Sequence, residues 1–131
     1  LIMNSLNTYY RQKKVNRTWR TFLPKQNYSK LATIYQASMK NKYMFEENFR
    51  KLSNSFNINK LFYSVERNID FSGYHIHLMM DTKSINRKVL AHQLGIKQSQ
   101  VTYLESIRNK KAISNYVTKY MKGDMLHYNI Y

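Results

Sequence analysis

The stretch that decides the fold runs from Leu61 to Met80 and reads Leu-Phe-Tyr-Ser-Val-Glu-Arg-Asn-Ile-Asp-Phe-Ser-Gly-Tyr-His-Ile-His-Leu-Met-Met. Apolar residues crowd both halves, and residues 70–73 (Asp-Phe-Ser-Gly) are typical of a turn. The stretch therefore predicts two antiparallel strands that fold about Asp70 and Phe71. Because side chains alternate along a strand, one face of this hairpin should be a core surface. That face carries Leu61, Tyr63, Val65, Ile76, Leu78 and Met80.

The other face of the predicted hairpin brings three potential metal ligands together. His75 and His77 are two residues apart on the second strand, so both side chains leave the same face. In this register Glu66 lies opposite His75, and cross-strand partners share a face. Two imidazoles and a carboxylate suit a divalent metal with open coordination positions. The alternatives are that the histidines are structural, or that Glu105 on a later strand supplies the carboxylate.

Length and composition favour one soluble domain over residues 1–131. There is no cysteine, which excludes a disulfide framework and a thiolate zinc site. No apolar run approaches the roughly 20 residues that span a membrane, and no signal peptide is visible. We therefore expect no membrane association and a cytoplasmic location, in the host cytoplasm if the protein is viral.

The charge distribution indicates a polyanionic partner. The formal net charge is +15, from 22 Lys and Arg residues against 7 Asp and Glu. Residues 1–45 contain no acidic residue, and Glu105 is the only one between residues 83 and 123. Such segregation favours nucleic acid, with an anionic membrane surface as the weaker alternative.

The first 27 residues mix basic and aromatic side chains and end near Pro24, the only proline. This pattern suits single-stranded nucleic acid, because cations follow phosphates while rings stack on bases. A flexible tail, or a strand whose rings join the core, explains it equally well. The candidate DNA-binding residues here are Arg11, Lys13, Lys14, Arg17 and Arg20.

The remaining periodicity predicts three helices and two further strands. Strands are expected near residues 30–37 and over 100–107, and a helix over 41–56. A second helix should run from an N-cap at Ser84 to Leu94, stopped by Gly95. A third should run from Asn109 to about Lys122, stopped by Gly123. The inward-facing residues of the first two helices would be Met44, Phe45, Phe49, Leu52, Phe56, Val89, Leu90 and Leu94. This order of elements predicts an α+β fold: an antiparallel sheet of about four to five strands with helices packed on it.

The last predicted helix carries a second group of candidate functional residues. Tyr116 and Tyr120 are four residues apart and share a face, which Lys119 borders. Ile113, Val117 and Met121 form a separate apolar stripe that can pack in the core. The tyrosines would then be free to face the metal. The alternative is that both tyrosines are buried in the core. A phosphate at the N-terminus of this helix would suit its cations. The candidate phosphate-binding residues of this helix are Arg108, Lys110, Lys111 and Lys122.

Together these motifs resemble the HUH endonucleases, named for two histidines around a hydrophobic residue. The residues that carry the resemblance are His75-Ile-His77, the preceding Glu66 and Tyr116-Val-Thr-Lys119-Tyr120, within roughly residues 28–123. The pattern is most similar to the rolling-circle replication initiators (Rep) of small phages, archaeal viruses and plasmids.

The resemblance implies a site-specific, metal-dependent endonuclease that nicks and rejoins single-stranded DNA. Glu66, His75 and His77 would hold Mg²⁺ or Mn²⁺, and Tyr116 would attack the scissile phosphate with help from Lys119. The product would be a 5′-phosphotyrosine link and a 3′-hydroxyl that primes replication. The expected partners are single-stranded DNA, presumed to form an origin hairpin, and a separate helicase and polymerase; a homodimer stays open.

Two departures from the family pattern matter. A Tyr-x-x-x-Tyr pair resembles that of isometric phage initiators, but Gly123 rather than Lys follows Tyr120 at three residues, which favours Tyr116 as the main nucleophile. No helicase motif appears. Two alternatives remain: a single-tyrosine HUH transposase, against which Lys119 argues, and a basic nucleic-acid-binding module without catalysis. His92 and His127 stand apart from any second histidine motif and are expected at the surface.

Overall fold

A computed structural model describes residues 17–36, 42–55, 57–67, 73–118 and 125–131, and only the backbone of residues 42–45 and 125–130. Nine elements follow one another: α1 (17–22), β1 (Lys30–Gln36), α2 (Lys42–Ser53), β2 (Lys60–Arg67), β3 (Tyr74–Asp81), α3 (Arg87–Leu94), β4 (Val101–Ser106), α4 (Lys110–Thr118) and β5 (Met125–Ile130). The strands form one antiparallel sheet in the order β4-β1-β3-β2-β5. The predicted α+β class is confirmed. Several residues on which predictions fell lie outside the described side chains: Arg11, Lys13, Lys14, Met44, Phe45, Phe56, Lys119, Tyr120, Met121, Lys122, Gly123 and His127.

The central hairpin has the predicted register. Leu61 pairs with Met80 and Glu66 pairs with His75. The predicted turn residues Asp70 and Phe71 lie outside the described residues. The six residues of the predicted core face are all buried. The alternation of apolar residues is consistent with this register. A slip of one residue in the pairing of β2 with β3 would move the apolar side chains of one strand to the opposite face of the sheet.

Two helices cover that core face. Phe49 and Leu52 of α2 and Leu90 and Leu94 of α3 are buried in the same cluster as the hairpin residues. The ring of Phe49 stacks on that of Tyr63, with 4.3 Å between centroids. Deleting a side chain as large as Phe49 from such a core costs about 3–5 kcal/mol.

Within the described residues, the opposite face of the sheet is covered only in part. A smaller cluster joins Leu31, Phe62 and Met79 of the sheet to Leu23, Tyr28 and Val117. Trp19 of α1 packs on this cluster, its ring 5.0 Å from that of Phe62. The C-terminal part of the predicted basic arm is therefore neither a flexible tail nor a strand: residues 17–22 form a helix that belongs to the fold.

Three details of the sequence interpretation were wrong. The N-cap of α3 is Asn86, not Ser84, and its side chain accepts a hydrogen bond from the Val89 N–H at 2.8 Å. Val89 is 40% exposed rather than inward. The strand β5 was not predicted at all. Gly95 does end α3, in the left-handed conformation (φ 67°) that glycine adopts without strain. Within the described ranges, no helix is long and apolar enough to cross a membrane.

Candidate metal centre and its surroundings

The hairpin register brings three potential ligand atoms to one point of the partly covered face. Oε1 of Glu66 lies 2.8 Å from Nε2 of His77 and also contacts Nε2 of His75. One ligand atom from each residue lies within 4.8 Å of the others. Among the described residues this is the group that could hold a metal ion, as the sequence indicated. Glu105 lies on β4, two strands away from the histidines, and does not join it.

Burial and hydrogen bonding have opposite effects on the pKa of the Glu66 carboxyl group. The residue is 5% exposed. Burial alone would raise the pKa of its carboxyl group, but the hydrogen bonds from His75 and His77 outweigh burial and lower that pKa to about 2. The carboxylate is therefore ionised at neutral pH, which is the form that binds a cation.

The donor set fits a divalent metal. Two imidazole nitrogens and one carboxylate oxygen leave open positions for water or substrate. His77 is 1% exposed, and its second ring nitrogen, Nδ1, is buried without a hydrogen-bond partner in the described part of the chain. His75 is partly exposed, with 29% of its side chain accessible, so the centre opens to solvent on the His75 side. The donors alone do not select among divalent ions.

Gly73 fixes where β3 begins, two residues before His75. Its φ is +145°, and a Cβ on this residue would lie 2.7 Å from the carbonyl oxygen of Gln36. Only glycine accepts that backbone conformation and that approach of β1 without strain. The start of β3, and hence the position of His75, depends on this contact.

Helix α4 carries Tyr116 to the same centre. Asn109 caps the helix as predicted, because its side chain accepts a hydrogen bond from the Ala112 N–H at 3.0 Å. The Tyr116 ring packs at 70° against that of His77, with 5.1 Å between centroids. Tyr116 is 50% exposed, so it is not a core residue. The expectation that Tyr116 faces the candidate ligands is thus met in the structure.

The buried face of α4 differs in part from the predicted stripe. Val117 is buried and Ile113 is half-buried, as expected, but the small hydroxyl residues Ser114 and Thr118 are fully buried as well. Each donates its hydroxyl hydrogen bond to a carbonyl oxygen of its own helix, to Lys110 at 2.7 Å and to Ser114 at 2.6 Å. The buried face of α4 therefore combines apolar side chains with hydroxyl groups whose hydrogen bonds are satisfied within the helix.

The described candidate DNA-binding cations are exposed at two places. Arg108, Lys110 and Lys111 lie at the start of α4, where Lys110 Nζ donates a hydrogen bond to Asn27 Oδ1 at 3.1 Å. Arg17 and Arg20 lie on α1, which covers the same face of the sheet as α4. None of the five takes part in the group of metal-ligand atoms. His92 is exposed on α3, as expected.

Sequence reasoning missed a recess beside Tyr116. Its volume is about 430 Å³, and its lining residues come from β1, β4 and α4: Leu31, Thr33, Thr102, Tyr103, Ile113 and Tyr116. The two tyrosines that border it are largely exposed, Tyr103 at 42%. The only sequence signal was the alternation of residues 100–107, which does not reveal that β4 pairs with β1.

The chain was compared with models of known protein families, with curated proteins and with solved structures, and none of them matches it.

Proposed function

We propose that the protein is a metal-dependent enzyme that cleaves and rejoins single-stranded DNA through a covalent link to Tyr116, and that it thereby initiates rolling-circle replication. The observation that carries this proposal is the convergence of three metal-ligand atoms within 4.8 Å of one another, with the exposed Tyr116 ring packed against one of the ligands. A structural histidine pair needs neither the carboxylate nor the exposed tyrosine.

In this proposal Glu66, His75 and His77 hold Mg²⁺ or Mn²⁺. These three residues would hold the ion, which would supply Lewis-acid polarisation of a phosphate oxygen and stabilisation of the charge that develops in the attack. Oη of Tyr116 forms a bond to phosphorus while the bond from phosphorus to the 3′-oxygen breaks, and the proton lost by the phenol is balanced by the one that the departing 3′-oxygen gains. The strand then carries a 3′-hydroxyl and a 5′-phosphate esterified to Tyr116. Attack by a 3′-hydroxyl reverses these bonds and rejoins a strand.

Tyr is a weak nucleophile at neutral pH, because the phenol pKa is about 10. Lys119, three residues after Tyr116, is proposed to stabilise the developing negative charge or to move the proton. Tyr120 is proposed for a second transfer step. Both lie outside the described residues, so these two roles rest on helical spacing and on the family resemblance.

The cationic residues are proposed to bind the strand. Arg108, Lys110 and Lys111 lie at or just before the start of the helix that carries Tyr116, and they are exposed. Arg17 and Arg20 extend the basic surface across α1, and the remaining candidates are Arg11, Lys13, Lys14 and Lys122. The proposed substrate is an origin hairpin with an unpaired strand, opened by a separate helicase and copied by a separate polymerase.

The test is formation of a covalent adduct on a 3′-labelled single strand with Mn²⁺, read on a denaturing gel and mapped by peptide sequencing. The label is at the 3′ end because the segment 3′ of the nick is the one that would stay linked to Tyr116. The wild type should form an adduct that chelator abolishes. Tyr116→Phe keeps the ring but removes the attacking oxygen, so it should fold and bind DNA and form no adduct. Tyr120→Phe is the matched control, and it should still form the adduct on Tyr116.

The double variant His75→Ala, His77→Ala tests the metal arm of the proposal. It should lose cleavage and keep most of its affinity for single strands, since phosphate contacts come from Lys and Arg elsewhere. Cleavage by this variant in chelator would contradict the metal role. An adduct that maps to Tyr120 alone would reassign the nucleophile, and binding without any adduct would favour the non-catalytic module. Cleavage confined to transposon ends would favour the transposase.

A further inference from the structure

The recess beside Tyr116 has features of a nucleobase site. It lies between the edge strand β4, the neighbouring β1 and helix α4, and its volume of about 430 Å³ falls within the range of small-molecule pockets. Among the described residues no charged side chain lines it, and those that do are apolar or hydroxyl-bearing. A neutral recess of this kind suits a planar, uncharged group rather than a phosphate.

Two exposed tyrosines border the recess. Tyr103 and Tyr116 are 42% and 50% exposed, whereas most aromatic rings in the described chain are buried or half-buried. Aromatic rings in water provide stacking surfaces for bases of any sequence. The hydroxyl of Thr33 makes no hydrogen bond within the described residues, so it is available to a polar edge of a bound group. Thr102 is engaged, since its hydroxyl donates to the Thr33 carbonyl oxygen at 3.2 Å.

The charges around the recess indicate that it binds the base of a nucleotide rather than the phosphate. Glu105 is exposed on β4 and pairs with Leu31, a lining residue, so a carboxylate at this side of the recess disfavours a phosphate inside it. The exposed cation Arg108 lies just before α4, and the exposed cations Lys110 and Lys111 lie in its first turn. A single DNA strand whose phosphates follow these cations can turn one base toward the neutral recess.

We propose that the recess binds one unpaired base of the single strand, stacked against Tyr103, in the nucleotide next to the phosphate that Tyr116 attacks. Tyr116 belongs both to the recess and, through its contact with the His77 ring, to the candidate metal centre. The placement next to the attacked phosphate rests on the proposed function. Base binding by the recess itself does not, because it depends only on the lining residues.

The experiment compares two labelled strands of the same charge: an oligothymidylate of about twelve nucleotides and an abasic deoxyribose-phosphate strand of equal length. Affinities are measured by fluorescence anisotropy in chelator, so that no cleavage occurs. The wild type should prefer the strand with bases. Tyr103→Ala should weaken binding of that strand by about 5- to 150-fold, as expected for one lost stacking contact, and leave the abasic strand unaffected.

Two further variants keep the result interpretable. Tyr103→Phe retains a stacking ring and should retain the base preference. Val89→Ala removes an exposed apolar side chain from α3, which packs on the opposite face of the sheet, and should change neither affinity. Thermal unfolding of each variant establishes that it is folded.

An unchanged base preference in a folded Tyr103→Ala variant would overturn the inference, even if Tyr116 forms its adduct. The inference would also be overturned if the wild type self-associates in analytical ultracentrifugation and Tyr103→Ala does not, with no change in DNA affinity. The recess would then join two copies of the chain. A base preference that depends on Tyr103, with no adduct formed in the presence of any divalent metal ion, would support base binding by the recess and refute the proposed nuclease activity.

Discussion

Replacing Glu66 with Gln tests the candidate centre without any knowledge of the substrate. The change keeps the size of the side chain and its ability to accept a hydrogen bond, but it removes the buried negative charge between two imidazoles. The structure lowers the pKa of Glu66 from 4.5 to about 2. At about 1.4 kcal/mol per pH unit, that shift corresponds to a stabilisation of about 3 kcal/mol by the ionised carboxylate.

The sign of the pH dependence follows from the direction of the shift. Because the pKa is lower in the folded protein, the stabilisation is fully present above the unfolded value of 4.5 and is lost as the pH falls towards 2. The free energy of unfolding of the metal-free wild type should therefore exceed that of Glu66→Gln at neutral pH. The gap between the two should narrow as the pH falls below 4.5, by about 3 kcal/mol in total by pH 2.

The same variant should lose its response to metal. At a Mn²⁺ concentration about 100 times its dissociation constant, the wild type should gain about 2.7 kcal/mol of stability. Glu66→Gln should lose most of that gain, since an amide is a weaker ligand than a carboxylate. Glu105→Gln is the matched control: Glu105 is an exposed carboxylate outside the ligand group, and its removal should leave the Mn²⁺ response unchanged.

The assay is urea unfolding followed by circular dichroism, from neutral pH to the lowest pH at which the protein stays folded, in chelator and in Mn²⁺. Parallel pH profiles of wild type and Glu66→Gln would refute the argument that the histidines hold the carboxylate ionised. An equal Mn²⁺ response in both would refute the ligand role of Glu66. Loss of the response in Glu105→Gln would instead indicate a different carboxylate at the site.

Three other predictions concern the backbone, a helix cap and the charge. Gly73→Ala should destabilise the protein by roughly 1–3 kcal/mol and weaken Mn²⁺ binding measured by calorimetry, because a Cβ there meets the Gln36 carbonyl oxygen and shifts the start of β3; unchanged Mn²⁺ affinity would show that His75 does not depend on that contact. Asn86→Ala should cost about 1 kcal/mol in thermal unfolding through loss of the α3 cap. The affinity for single-stranded DNA should fall steeply with salt, and a flat salt dependence would contradict an electrostatic contact with phosphates.

The sequence by itself determined the central hairpin and the candidate metal ligands on it. Alternation and turn residues both specify the register in which Glu66 meets His75, so the pairing needed no knowledge of the rest of the chain. Local signals also placed the cap at Asn109 and the helix end at Gly95. The hairpin register, the cap and the helix end all depend on residues that are close together in the chain, so the sequence is sufficient to predict them.

Local signals were weaker where alternatives lay close together. Ser84 and Asn86 are both good capping residues, and the structure uses Asn86. The strand β5 (Met-Leu-His-Tyr-Asn-Ile) lies at the edge of the sheet. An edge strand needs only one partner, and here that partner is β2, far away in the sequence.

Only the tertiary structure decided what surrounds the candidate centre. The pairing of β4 with β1 places Tyr103 opposite Thr33, and the return of α4 across the sheet brings Tyr116 to the ring of His77. Both depend on residues distant in the chain, whose meeting is governed by the burial of whole apolar faces rather than by local preference. The sequence therefore identified the candidate ligands and the tyrosine, while the recess beside Tyr116 required the packed fold.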